Sequence, residues 1–125
     1  MKRAIILVDH GSKRPEANAI VRQVAAIVQQ AVPDALVRHA HMELGAPSVG
    51  DAFEACVSEG ADEIVVHPYF LAPGNHGARD IPKLALEAAA RHPGVRIMIS
   101  EPLGVHAKIG EVILERISDA REIKR

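Results

Sequence analysis

The sequence is poor in aromatic residues and cysteine, and it carries almost no excess charge. Its 125 residues include one Tyr, two Phe and no Trp, while 15 Lys and Arg oppose 16 Asp and Glu. Nucleic acid is therefore not an expected partner, because there is neither a basic surplus nor a set of rings for bases to stack on. The single Cys56 excludes an internal disulfide and a cysteine-based zinc cluster, and its apolar helical surroundings predict a core position.

Long hydrophobic runs are also lacking. The apolar run at residues 4–8 is too short for a signal peptide, and no segment is long enough to span a membrane. We therefore expect no membrane partner and a cytoplasmic location. A chain of 125 residues with 48% hydrophobic residues can bury a substantial core, which predicts a single domain over residues 1–125.

Short apolar runs alternate four times with helical periodicity. Strands are predicted at about residues 4–9, 36–41, 64–67 and 96–100, and Ser48 and Asp80 are predicted to cap the second and third helices. Four successive strand–helix units predict an α/β fold with a parallel sheet and helices on both faces. The first strand is the most apolar, so we place it inside a sheet of order 2-1-3-4.

Polar side chains follow the predicted carboxyl end of every strand, the edge where α/β sheets bind ligands. They are His10, Ser12 and Lys13 after the first strand, His41 and Glu43 after the second, Tyr69, Asn75 and His76 after the third, and Glu101 and His106 after the fourth. His10 and His76 flank the predicted reversal of strand order. Two imidazoles would bind a divalent metal while leaving coordination positions open, which suits a site through which metal passes.

Three basic residues lie next to predicted helix amino termini: Lys13 and Arg14 before the first helix, and Arg79 before the third. Cations oppose the helix dipole there, so an anionic ligand over these termini would compensate them. The alternative is that these long side chains extend into solvent. His39 and His67 are interpreted as half-buried strand residues, and His92 as a turn residue at the opposite edge.

Several motifs together resemble one family. They are His10-Gly11-Ser12, residues 42–48 (MELGAPS), residues 67–71 (HPYFL), Gly74-Asn75-His76, Asp80-Ile81-Pro82 and Pro102-Leu103-Gly104. In order and spacing they are similar to the sirohydrochlorin chelatases of the CbiX and SirB type, which insert cobalt, iron or nickel into a modified tetrapyrrole without ATP.

The resemblance implies a chelatase-like fold in which His10 and His76 handle the metal and Glu43 is a pocket carboxylate. The metal is then a substrate, with no permanently bound cofactor. Longer family members contain this domain twice, so a homodimer is implied for a chain of this length. The expected contacts to the tetrapyrrole are Ser12, Lys13, Arg14, Tyr69, Phe70, Leu71 and Arg79.

Two other functions use the same residues. A phosphoryl-transfer enzyme with His10 as nucleophile is disfavoured, because the histidine phosphatases that resemble this motif carry Arg where this chain has Asp9. A non-catalytic carrier of metal or tetrapyrrole would use the same site without turnover, and it stays open as the alternative.

Overall fold

A parallel sheet of four strands, each followed by a helix, forms the fold. The computed structural model describes residues 1–72 and 77–124. In chain order the elements are β1 (Arg3–Asp9), α1 (Pro15–Ala31), β2 (Leu36–His41), α2 (Val49–Ser58), β3 (Glu63–Pro68), α3 (Gly77–Ala89), β4 (Arg96–Ile99) and α4 (Ala107–Ser118).

The strand order is β2-β1-β3-β4, which confirms the predicted order. β1 pairs in parallel with β2 from Ala4 opposite Leu36 to Asp9 opposite His41, and with β3 on its other side. The apolar composition of β1 suits this central place, because its successive side chains are buried on opposite faces of the sheet. The strand reversal beside β1 puts its carboxyl end at the edge where ligands bind.

Two hydrophobic clusters lie on the two faces of the sheet. On one face Ile6 and Val8 pack with Phe53 of α2 and Ile81 of α3. On the other face Leu7 packs with α1, through residues that include Val21. Helices therefore cover both faces, as predicted, with α1 on one and α2 and α3 on the other.

The starts of α2 and α3 test the predicted caps. The Ser48 hydroxyl accepts a hydrogen bond from the Asp51 backbone N–H at 3.0 Å, which confirms Ser48 as the cap of α2. The prediction that Asp80 caps α3 is wrong, because α3 begins at Gly77 and Asp80 lies within its first turn. A carboxylate in that turn still interacts favourably with the helix dipole.

The last helix, α4, differs from the other three because it buries none of its residues within the described chain. Four large apolar side chains are exposed along it: Val112, Ile113, Leu114 and Ile117. The apolar spacing of the sequence correctly predicted a helix here. The described part of the chain does not provide a surface that covers the apolar side chains of α4. Among the described residues, no helix is long and apolar enough to cross a bilayer.

Cys56 lies on α2 with no exposed surface, as its apolar neighbours predicted. Burial disfavours the thiolate and raises the Cys56 pKa to about 11. We expect iodoacetamide to label the native protein at pH 8 far more slowly than the chain unfolded in guanidinium, as measured by mass spectrometry. Free glutathione under the same two conditions is the control for reagent reactivity, and equal labelling of native and unfolded chains would contradict a buried thiol.

Candidate functional site

The structure brings His10 and Glu43 together at the carboxyl edge of β1 and β2. His10 Nε2 lies 3.3 Å from Glu43 Oε1, and the two side chains are 54% and 58% exposed. The His10 Nδ1 is 3.2 Å from the Gly11 carbonyl oxygen. Both ring nitrogens of His10 therefore face an acceptor oxygen. The imidazole and the carboxylate lie side by side, with solvent access to both.

The backbone positions this pair by extending the β1–β2 ladder beyond the strands. The Met42 N–H donates to the Asp9 carbonyl at 2.9 Å, and the Glu43 N–H donates to the His10 carbonyl at 3.1 Å. The two loops therefore leave the sheet side by side. The pairing of His10 with Glu43 follows from strand register, although 33 residues separate them in sequence.

Gly11 allows the two loops to approach this closely. Its φ is +94°, and a Cβ at this position would lie 1.7 Å from the Glu43 carbonyl oxygen. Both the backbone conformation and the space therefore require glycine. The sequence signalled this only as part of the His10-Gly11-Ser12 motif.

The loop after Glu43 passes close to α1. Leu44 adopts φ +65°, a conformation that costs a non-glycine residue roughly 1–2 kcal/mol. A Cβ on Gly45 would lie 2.6 Å from the Asn18 amide nitrogen. Asn18 in turn accepts from the Ser12 backbone N–H at 2.9 Å and donates to the Ser12 carbonyl at 2.7 Å. One amide side chain thereby fixes the loop after β1 and limits the space beside the loop after β2.

A second acid–imidazole pair lies beneath the first, and sequence reasoning missed it. His41 is 1% exposed, and its Nδ1 lies 2.6 Å from Asp9 Oδ1. These residues are directly opposite each other in the β1–β2 register. The sequence places His41 at the ligand edge but does not identify its partner. The available signal was that Asp9 and His41 both end their strands, so a parallel pairing of the two strands would make them neighbours.

The other predicted site residues before α1 and α3 lie as follows. Lys13 is an exposed side chain beside α1, and Arg14 occupies the N-cap of α1 without a capping side-chain bond. Ser12 accepts from the Arg14 backbone N–H through its hydroxyl at 3.0 Å. His76 and the side chain of Arg79 lie outside the described residues, so the predicted meeting of His10 with His76 stays a prediction.

The three motif residues after β3 serve partly as packing. Tyr69 packs against the cluster on the α1 face, and Phe70 packs against the cluster on the opposite face. Leu71 is 67% exposed, and its carbonyl accepts from the Gly104 N–H at 2.8 Å. These contacts join the loops after β3 and β4, while only Leu71 presents most of its side chain outward.

The other histidines have local partners. His67 is half-buried on β3, where its Nδ1 lies 2.7 Å from the Ser100 hydroxyl and burial lowers its pKa. His92 stacks on Phe53 and contacts Glu54 at 2.9 Å, and His106 accepts from the Lys108 N–H at the start of α4. His39 packs edge-on against His41, and its pKa is lowered by burial and by nearby His41 and Arg22. The structural interpretations of His67 and His92 are confirmed.

Glu43 also borders a hollow of about 310 Å³ between its loop and α3. Three carboxylates and one ammonium line it, from Glu43, Asp80, Glu87 and Lys83. The negative balance favours approach of cations toward the exposed Glu43. Within residues 1–72 and 77–124, no three side chains of the His, Cys, Asp or Glu type are grouped to hold a metal ion.

Comparison with known proteins identifies the family. The family model of CbiX matches residues 4–120. The chain belongs to the CbiX family. A sirohydrochlorin cobaltochelatase from Sulfurisphaera tokodaii is 37% identical over 92% of this chain and 91% of that protein.

Two longer relatives share the same domain. The chloroplastic sirohydrochlorin ferrochelatase of Arabidopsis thaliana is 42% identical over 90% of this chain and 50% of its own length. The solved structure of SirB from Bacillus subtilis with Fe³⁺ superposes with a TM-score of 0.85 at 32% identity, covering 95% of this chain and 47% of SirB. The CbiX-family chain thus spans about half the length of these two relatives, and its chelatase-like fold is confirmed.

Gly11 yields a direct test of the loop geometry. Gly11→Ala should destabilise the protein by about 2 kcal/mol, because the added methyl group overlaps a backbone carbonyl. The control is Gly94→Ala in the turn before β4, where a Cβ meets nothing within 4 Å, so stability should change by no more than about 0.5 kcal/mol. Urea unfolding measures both. Equal stability of the Gly11→Ala protein and the wild type would contradict the close approach of the two loops.

Proposed function

We propose that this chain is a sirohydrochlorin chelatase, which inserts a divalent metal into the tetrapyrrole without ATP. The observation that carries the proposal is the exposed donor pair at the ligand edge, His10 Nε2 and Glu43 Oε1, 3.3 Å apart. Two protein ligands at about 2.1 Å from one metal, at a near-tetrahedral angle, lie about 3.4 Å from each other. The relatives named above, a cobaltochelatase and a ferrochelatase, support the substrate class.

The metal is a substrate in this proposal. Iron and cobalt are supported by the names of the relatives, and nickel is a third candidate because imidazole also binds it. Two donors hold such an ion weakly and leave its other positions open to ring nitrogens. As four ring nitrogens replace two protein donors, the transfer requires no coupled hydrolysis of ATP. His76 is proposed as a further metal-handling residue on the basis of the sequence motif.

Metal insertion also releases two protons. The metal dication replaces the hydrogens of two pyrrole N–H groups, so charge balances when both protons leave the ring. The Glu43 carboxylate and the His10 lone pair that held the ion become free as the ring takes it, and both groups can then accept a proton. We propose that His10 and Glu43 act in sequence as metal donors and proton acceptors. The acidic hollow beside Glu43 supports cation entry from that side.

The test is anaerobic metallation of sirohydrochlorin by Co²⁺, Ni²⁺ or Fe²⁺, followed by the visible spectrum. We expect His10→Ala and Glu43→Gln to lower the enzyme-dependent rate by about 100-fold, since positioned acid–base groups contribute on that order. Glu101→Gln, an exposed carboxylate at the same edge, is the matched control and should keep the wild-type rate. A folded His10→Ala protein with the wild-type rate would remove His10 from the mechanism. A protein that binds metal and sirohydrochlorin but forms no more than one metallated ring per chain would instead favour the non-catalytic carrier.

We also propose that the chain forms a homodimer through α4. Its exposed side chains Ile113 and Leu114 are 54% and 67% accessible, and burying such residues contributes about 1.5–3 kcal/mol each. An apolar groove of about 170 Å³ lies open on the same chain, lined by Pro82, Ala85, Leu86, Ile97, Met98 and Ile99. A helix and a groove that both lack cover within the described chain support reciprocal packing between two copies.

We further propose that the protein is located in the cytoplasm, which suits the free thiol of Cys56.

The helix provides the test of the dimer. By light scattering at micromolar concentration, the wild type should have twice the mass of the chain. Ile113→Glu should shift it to the monomer, because a charge would be placed in an apolar contact. The polar substitution Glu115→Gln on the same helix is the control and should leave the mass unchanged. A wild type that is monomeric and fully active would contradict the proposal.

A further inference from the structure

A pocket between α1 and β2 combines basic and imidazole groups that the proposed metal chemistry does not use. Its volume is about 240 Å³. The lining residues are Lys13, Pro15, Asn18, Ala19, Arg22, His39, His41 and Ala46. None of these carries a carboxylate, although Asp and Glu together outnumber Lys and Arg in the sequence. The two cations of the lining outnumber the one carboxylate bonded to it, Asp9 at His41, so the pocket has a positive balance in a chain that is nearly neutral overall.

The secondary structure explains why these groups meet. His39 and His41 are two positions apart on β2, so their side chains lie on the same face of the sheet. α1 packs on that face, and Asn18 and Arg22 are one turn apart on it. Lys13 comes from the loop after β1.

The charges in this pocket suit an anion rather than a second metal ion. In the described part of the chain, neither Lys13 nor Arg22 has a carboxylate within ion-pair distance. His41 is almost fully buried and its Nδ1 is bonded to Asp9 Oδ1 at 2.6 Å, so it shapes the wall of the pocket while Lys13 and Arg22 supply the positive charge. Two imidazoles alone would suit a metal, but the adjacent guanidinium and ammonium groups would repel it.

The pocket adjoins the donor pair along both loops. Lys13 is three residues after His10, and His41 is two residues before Glu43. At no more than about 3.6 Å per residue, the Cα atoms of these pairs are within about 11 Å and 7 Å of each other. One extended ligand can therefore reach both the donor pair and the pocket.

We propose that this pocket binds a carboxylate side arm of the tetrapyrrole, with Lys13 and Arg22 as the charged groups and His39 and His41 as its imidazole wall. The inference rests on the proposed function, because that function supplies a ligand with a flat ring and several carboxylates. The pocket then fixes the orientation of the ring around the metal site. Arg22 and His39 are substrate-binding residues in this assignment.

The test uses the full chain and metal-free sirohydrochlorin. Arg22→Gln should weaken binding of the ring about tenfold, equivalent to about 1.4 kcal/mol, as measured by spectroscopic titration. KM for metallation should rise by a similar factor while kcat stays unchanged. Arg91→Gln is the control, because Arg91 is also exposed but follows α3 at the opposite edge of the sheet. Added salt should weaken wild-type binding more than binding by Arg22→Gln.

An ester analogue distinguishes carboxylate recognition from packing. With the methyl ester of the same tetrapyrrole, the wild type and Arg22→Gln should bind equally. An equal loss of affinity for the acid and the ester would overturn the inference, since a carboxylate would not be the group recognised. The double variant Lys13→Gln, Arg22→Gln gives a second check. If it kept the wild-type affinity and KM, the inference about the pocket would be overturned and the chelatase proposal would stand. A wild type that binds the ring through Arg22 but never metallates it would overturn the chelatase proposal alone.

Discussion

The continuation of the β1–β2 pairing past the ends of the strands is the constraint on which the site depends. Two backbone hydrogen bonds, from Met42 to Asp9 and from Glu43 to His10, keep the two loops in register. Each contributes only about 1 kcal/mol, but together they fix which side chains face each other. Gly11 allows the backbones to approach, and the left-handed Leu44 turns the second loop away after Glu43. The strain at Leu44 is local to the site, as expected where surrounding contacts determine an unfavourable conformation.

The sequence predicted the sheet and its order because burial leaves a strong pattern. β1 reads as a continuous apolar run, and that pattern required a central place in a parallel sheet. The ligand edge followed from topology, and with it the positions of His10 and Glu43. The pairing of Asp9 with His41 was not predicted, because it depends on register across 32 residues and each residue alone looks like an ordinary strand end. His39 is a half-buried residue of β2, as predicted, but its position near Arg22 was not predicted, because the two residues lie on different elements.

α3 and α4 illustrate two further limits of predicting structure from the sequence. Asp80 matched a capping pattern, but α3 begins three residues earlier, at Gly77. The pattern could not distinguish the two positions, because a carboxylate is favourable in the first turn as well as at the cap. In α4 the apolar spacing predicted the helix, and the structure leaves its large apolar side chains exposed within the described chain. Periodicity reports that a helix has an apolar face, while the identity of the covering surface depends on contacts that the spacing does not encode.

Charge is distributed unequally around the ligand edge. Carboxylates of Glu43, Asp80 and Glu87 border the hollow on the α3 side, and Lys13 and Arg22 border the pocket on the α1 side. A cation and a polyanion approaching the same edge are therefore drawn toward different sides of it. A nearly neutral chain achieves this by separating charges in space rather than by carrying a net excess.

The short fourth strand has a consequence for misassembly. β4 is an edge strand, so one row of its backbone N–H and carbonyl groups lacks a strand partner within the described sheet. Such edges can template strands from other molecules and lead to filaments. β4 is only four residues long and begins with the exposed Arg96, which limits the length of any added ladder and places a charge beside it. Association by open-ended strand addition is therefore disfavoured, and the exposed apolar surface nearby remains available for a closed, helix-based contact.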